Sequence, residues 1–117
     1  ALSNTAPGSE SSNPTGDSNG ILANVTQISY TNCSSRTLTT SSSSQTGGTY
    51  KLVVADLTLT ASGTVGPFRY IYLYDDTVTS PADPLIGLYD YGASVTLNNG
   101  DTFTLDFSPS NGVIQLA

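Results

Sequence analysis

Catalysis by a nucleophile and a base needs a hydroxyl or thiol held beside an imidazole, and this 117-residue sequence contains no histidine. Ser-His-Asp and Cys-His arrangements are therefore excluded, as are zinc sites of the Cys/His kind. Nine acids are present, Glu10 and eight aspartates. None stands in the Asp-Thr-Gly or Asp-Ser-Gly context of aspartic proteases, and most flank turns, where Asp satisfies local backbone groups. The phosphate loop G-x-x-x-x-G-K-[ST] is absent, and Gly63 with Gly66 makes no dinucleotide fingerprint. Asp75 and Asp76, with Asp83 or Asp90, offer oxygens to Ca²⁺, but their spacing does not match an EF-hand loop. A Lys–Asn crosslink would have to use Lys51, the single lysine. The sequence thus assigns no catalytic residue, no metal ligand and no cofactor, and predicts a structural or binding role.

Aromatic residues are the other candidates. Tyr70, Tyr72, Tyr74, Tyr89 and Tyr91 lie near Asp75, Asp76 and Asp90 in sequence. Aromatic faces beside acidic acceptors suit a sugar. Tyrosines at period two equally suit packing against a core or a partner subunit, and Trp, the usual sugar platform, is missing. Both readings stand, a glycan site or an interface. The sequons Asn24-Val25-Thr26 and Asn32-Cys33-Ser34 are matches that so Ser/Thr-rich a chain produces by chance.

The scaffold for these residues is all-β. Ser and Thr fill 34 positions and charged residues only 10 %. Such a composition competes with helix and favours strands. The net charge of −6, with Arg36, Lys51 and Arg69 as the only cations, argues against nucleic acid and anionic membranes. No apolar run approaches the roughly 20 residues of a spanning helix. One cysteine, Cys33, excludes an internal disulfide. It reads as a strand or loop filler, with an intermolecular disulfide or a reactive thiol as the alternatives. No basic and apolar leader opens the chain, so no signal peptide is expected within it.

Residues 1–20 carry one sizeable apolar side chain, Leu2, and are predicted to form an extended N-terminal arm ordered by neighbouring subunits. Residues 21–117 are predicted to form one β domain. Ile21–Thr31 reads as a strand, with a further short one centred on Leu38, and Ser41–Gly48 as a loop. Tyr50–Ala61 reads as one strand with Val53, Ala55, Leu57 and Leu59 on one face. Phe68–Tyr74 follows, with Phe68, Tyr70, Tyr72 and Tyr74 on one face and Ile71 and Leu73 on the other. Asp75–Pro84 is a loop and Leu85–Tyr91 a strand. Ala93–Leu97 and Thr102–Phe107 are predicted to pair as a hairpin through Asn98-Asn99-Gly100-Asp101. Gly112–Leu116 closes the sheet. Seven or eight short strands of this kind predict an antiparallel sandwich or barrel-like module.

The stretch 68–117 resembles small virion proteins of tailed bacteriophages. The carrying pieces are Leu73-Tyr74-Asp75-Asp76, Asp83-Pro84-Leu85-Ile86-Gly87, Tyr89-Asp90-Tyr91-Gly92 and the terminal Val113-Ile114-Gln115-Leu116-Ala117. The resemblance covers somewhat under half the chain and carries no site residues over. It implies a piece of the particle. A −6 chain is repelled by packaged DNA, so the expected place is the outer capsid surface. The expected role is a decoration (cement) protein, expected to be trimeric, whose partners are the major capsid protein and copies of itself. A tail, head-fibre or adhesion module binding a host glycan is the alternative, and a secreted bacterial surface domain a third.

Overall fold

In the computed structural model, which describes residues 1–117, eight strands form three antiparallel sheets with almost no helix. The strands are β1 (Leu2–Ser3), β2 (Thr40–Thr46), β3 (Thr49–Val54), β4 (Leu57–Thr60), β5 (Val65–Tyr74), β6 (Leu85–Leu97), β7 (Thr102–Leu105) and β8 (Ile114–Leu116). One sheet has the order β1-β5-β6, the second β2-β3-β8, and β4 pairs with β7. Single 3-10 turns at Pro7–Ser9 and Leu22–Asn24 are the helical remainder.

The main core cluster draws on two sheets and on the chain's beginning: Leu2, Leu59, Ala61, Val65, Phe68, Ile71 and Leu97, with Val95, Phe103 and Leu105 packed against it. A smaller cluster joins Val54, Leu73 and Phe107. Only 14 of 117 residues are buried. The radius of gyration is 15.0 Å, against about 13 Å for a compact domain of this length, so the body is elongated around a thin core.

The N-terminal segment, expected as an arm ordered by neighbouring subunits, packs on its own chain. Leu2 pairs with Ile71 and Ser3 with Tyr70, and Leu2 is 2 % exposed. The Tyr30 hydroxyl accepts from Leu2 N at 2.8 Å and donates to Gln27 Oε1, while Ile28 N donates to Leu2 O. Further along, Glu10 accepts from Thr26 N and Oγ1, both at 2.7 Å, and Leu85 N donates to Gly20 O. Its one large apolar side chain is what the core uses, and hydroxyl and backbone bonds hold the rest to its own chain.

Other local expectations also change. Ile21–Thr31 is no strand. It holds the Leu22–Asn24 turn and a lone bridge from Ile21 to Pro84. The Ser-rich stretch expected as a loop is β2, which extends because β3 offers it an edge to pair with, every residue of it exposed. Tyr50–Ala61 is broken at Ala55–Asp56, where Ala55 N donates to Thr39 O and the Asp56 carboxylate accepts from Phe107 N. The break shifts the alternation, so Val54 rather than Val53 is buried beside Leu59. Leu85–Leu97 is one strand. The predicted 93–107 hairpin has its turn, with Gly100 at φ +89° and Asp101 N donating to Asn98 O at 2.9 Å. Its strands part, however: Leu97 pairs with Val65, and Phe103 with Leu59.

Candidate interaction surface

The five tyrosines come from β5 and β6, whose pairing is interrupted three times. Between Phe68 and Tyr70 the partner positions run from Val95 to Asp90, so Tyr91–Ser94 bulge out of β6. Phe68 joins Ile71 in the main core cluster, which Tyr70 and Tyr72 do not enter. The predicted common face of Phe68 with the tyrosines is thereby lost.

Tyr72 is 1 % exposed and its hydroxyl has no hydrogen-bond partner. Burial, then nearby Glu10 and Tyr70, push its phenol above the usual range. Tyr70 is half-buried opposite Asp90, with the Arg69 guanidinium 5.3 Å from its ring centre. Tyr74 lines a cleft described below. Tyr89, paired with Ile71, and Tyr91 point the other way and are 42 % and 57 % exposed. Tyr89 meets Phe107 edge to face at 6.4 Å, and Tyr91 meets Phe103 at 5.2 Å. Phe103 in turn meets Phe68 at 5.3 Å. The structure therefore places Tyr91 at the end of a row running from Phe68 through Phe103 and Tyr89 on Phe107, and neither contacts Tyr70 or Tyr72 ring to ring. The phenylalanines of this row were visible in sequence only as alternating apolar positions.

Charge is distributed unevenly over this scaffold. Arg69 Nε and Nη2 grip Asp90 at 2.7 and 2.8 Å, and Gly92 N donates to Asp90 Oδ1. Together they hold the Asp90 carboxyl down at about 2, the Arg69 bond being the larger cause. The Arg36 guanidinium stacks 3.5 Å from the Tyr30 ring centre. Lys51 Nζ donates to Ser110 O at 2.6 Å. Every cation of the chain is thus engaged internally. Asp75 accepts from Thr77 N and Oγ1, which lowers its carboxyl, and forms no ion pair. Asp75, Asp76, Asp83 and Asp90 do not gather into a metal-holding group. The Cys33 thiol is raised by burial beside the core, opposite Ala61. Asn24 and Asn32 of the two sequons donate to Asn19 O and Thr64 O.

Between β3 and β5 the two layers leave an open cleft of about 480 Å³. Leu52 and Val54 line it from one side, Ile71 and Leu73 from the other, with Leu38, Ile86 and Val113 adding further apolar surface. Its polar lining is Arg36, Thr37, Thr40, Asp75, Asp76 and Thr77. No sequence pattern announced this cleft, because its apolar residues also read as ordinary core and its polar ones as loop.

Comparison with protein-family models, with curated proteins and with solved structures yields no match. Function is therefore argued from these surfaces alone.

Proposed function

We propose that this protein is a non-catalytic structural component of a tailed-bacteriophage particle, a decoration (cement) protein on the outer face of the head. In this reading the sheets form a β-sandwich-like wedge, and its partners are the major capsid protein and further copies of itself, as a trimer. The observation that carries the proposal is the unfinished packing. Only 14 of 117 residues are buried, while an apolar cleft and the exposed Ile86, Tyr89 and Tyr91 stay uncovered. Uncovered apolar surface of this kind is typical of an interaction face. The charge supports an outward position, since a −6 chain with its cations engaged is repelled by packaged DNA.

A cement protein stabilises by mass action. It binds the assembled shell and not its dissociated subunits, and raises stability by RT ln(1 + [L]/Kd) per site. Stripping the protein from particles lowers their disruption temperature, and adding it back restores it. Stripped particles that are equally robust but no longer attach to cells would overturn the proposal in favour of the adhesion reading, with Tyr89 and Tyr91 as the glycan-facing pair.

A further inference from the structure

We infer that the cleft between β3 and β5 receives an extended aliphatic segment of another protein, flanked by basic residues. This rests on the reading of the chain as an assembly component and names the chemistry of its partner. Protein interiors pack densely, with few voids larger than a water molecule. The cleft of about 480 Å³, lined mostly by apolar residues with Leu52, Val54, Ile71 and Leu73 among them, is open to solvent and leaves that packing unfinished. The occupant is therefore apolar.

Its extended shape follows from the neighbouring backbone. β6 ends its sheet, and beyond Leu85, whose N–H already donates to Gly20 O, that side of the strand lacks a paired neighbour. Beside the cleft lies Ile86, which lines it and is 39 % exposed. Between the pairs Leu73–Gly87 and Tyr74–Leu85, Ile86 is the unpaired extra residue. An incoming strand finds unpaired N–H and C=O groups on one side and aliphatic walls on the other.

The flanking charge follows from the census of cations. Arg36 is stacked on Tyr30, Arg69 holds Asp90 and Lys51 reaches Ser110. Asp75 and Asp76 line the cleft without an ion pair and outnumber Arg36, the one arginine or lysine that lines it. A second copy of this chain brings another −6, so like charge disfavours it at this cleft. A basic-flanked segment of a different protein is complementary.

The test uses the full chain, methyl-labelled for NMR, and a synthetic peptide of alternating Val, Thr and Leu with two Lys at each end. The expected result is shifts at the Leu52, Leu73 and Ile86 methyls and binding roughly tenfold tighter than that of the same peptide with Glu flanks. High salt, or the double change Asp75→Asn with Asp76→Asn, removes most of that preference. Ile86→Lys, at an exposed position, abolishes binding while leaving the fold's spectrum intact. Equal affinity for both peptides, shifts confined elsewhere, no binding, occupation of the same methyls by dodecanoate alone, or concentration-dependent self-association through them would each overturn the inference. Particle binding separates the two levels. Particles that take up wild-type and Ile86→Lys protein equally overturn the cleft assignment alone. Particles that take up neither overturn the shell reading, and the peptide titration still decides the cleft.

Discussion

The two ends of this molecule are built from the same kinds of residue and finished differently. At the closed end, Leu59, Val65, Phe68 and Leu97 meet across the layers and Leu2 plugs the edge, with Tyr30 clamping its backbone. At the open end, β2-β3-β8 carries Leu52 and Ile114 toward no opposing sheet that covers them, and Leu116 is mostly exposed. Apolar content alone does not decide where a core forms. A second layer at packing distance does; the closed end has it throughout, the other only where Val54, Leu73 and Phe107 meet. Stability and recognition are thereby assigned to different regions of one small chain.

Truncation on the two sides breaks or sharpens this contrast most strongly. Phe68→Ala removes a fully buried ring and should cost about 3–5 kcal/mol. Leu52→Ala, half-buried at the open cleft, should cost less, about 1–2 kcal/mol, because part of its surface stays in water on folding. Urea denaturation measures both, and equal losses would erase the distinction between the ends.

Backbone and clamp come next. Gly66 has φ +112°, and an added Cβ would lie 2.6 Å from Val95 O, so Gly66→Ala should destabilise by about 2–3 kcal/mol. Gly100→Val, at φ +89° with open space around it, should cost about 1–2 kcal/mol from backbone strain alone. Tyr30→Phe leaves Leu2 N without its acceptor and should cost about 1–3 kcal/mol. Amide exchange in that variant should rise first at β1 and its partner positions in β5.

How much of this was legible in sequence depends on whether the signal is local. The alternation in β5 and the Asn99-Gly100 turn were readable, since side-chain period and positive φ are properties of a few adjacent residues. Partner choice was not. The same turn serves a hairpin or a crossing between sheets, and only the competition of Val65 for Leu97 and Leu59 for Phe103 decides it. The β2 serines carry no apolar pattern, so nothing in them distinguishes a loop from an edge strand paired to β3. Phe68 shares the main core cluster with Ile71 rather than with Tyr70 and Tyr72, which strict alternation cannot anticipate. Leu2, the one large apolar residue of its segment, was visible. Its destination was not.

The smallest expected effect is electrostatic and lies on the surface between the ends. The Asp90 carboxyl sits at about 2, below the usual value near 4 for an unfolded chain. A depressed folded value contributes stability that is present above about pH 4 and is lost as pH falls toward 2. Asp75, lowered by Thr77, contributes with the same sign. Thermal melts between pH 5 and pH 2, taken at about those values, should decline less steeply for Arg69→Gln than for the wild type. The exposed geometry keeps that difference small.

Native-state hydrogen exchange on the free chain tests the central contrast most directly. Local openings range from near zero free energy to that of global unfolding. The account predicts that protected amides around Phe68, Ile71, Leu59 and Leu97 exchange only through global unfolding. Those of β3 and β8 around Leu52 and Ile114 should be protected roughly a hundredfold less. Uniform protection across both ends would contradict it, because the open end would then be as much a part of the core as the closed one.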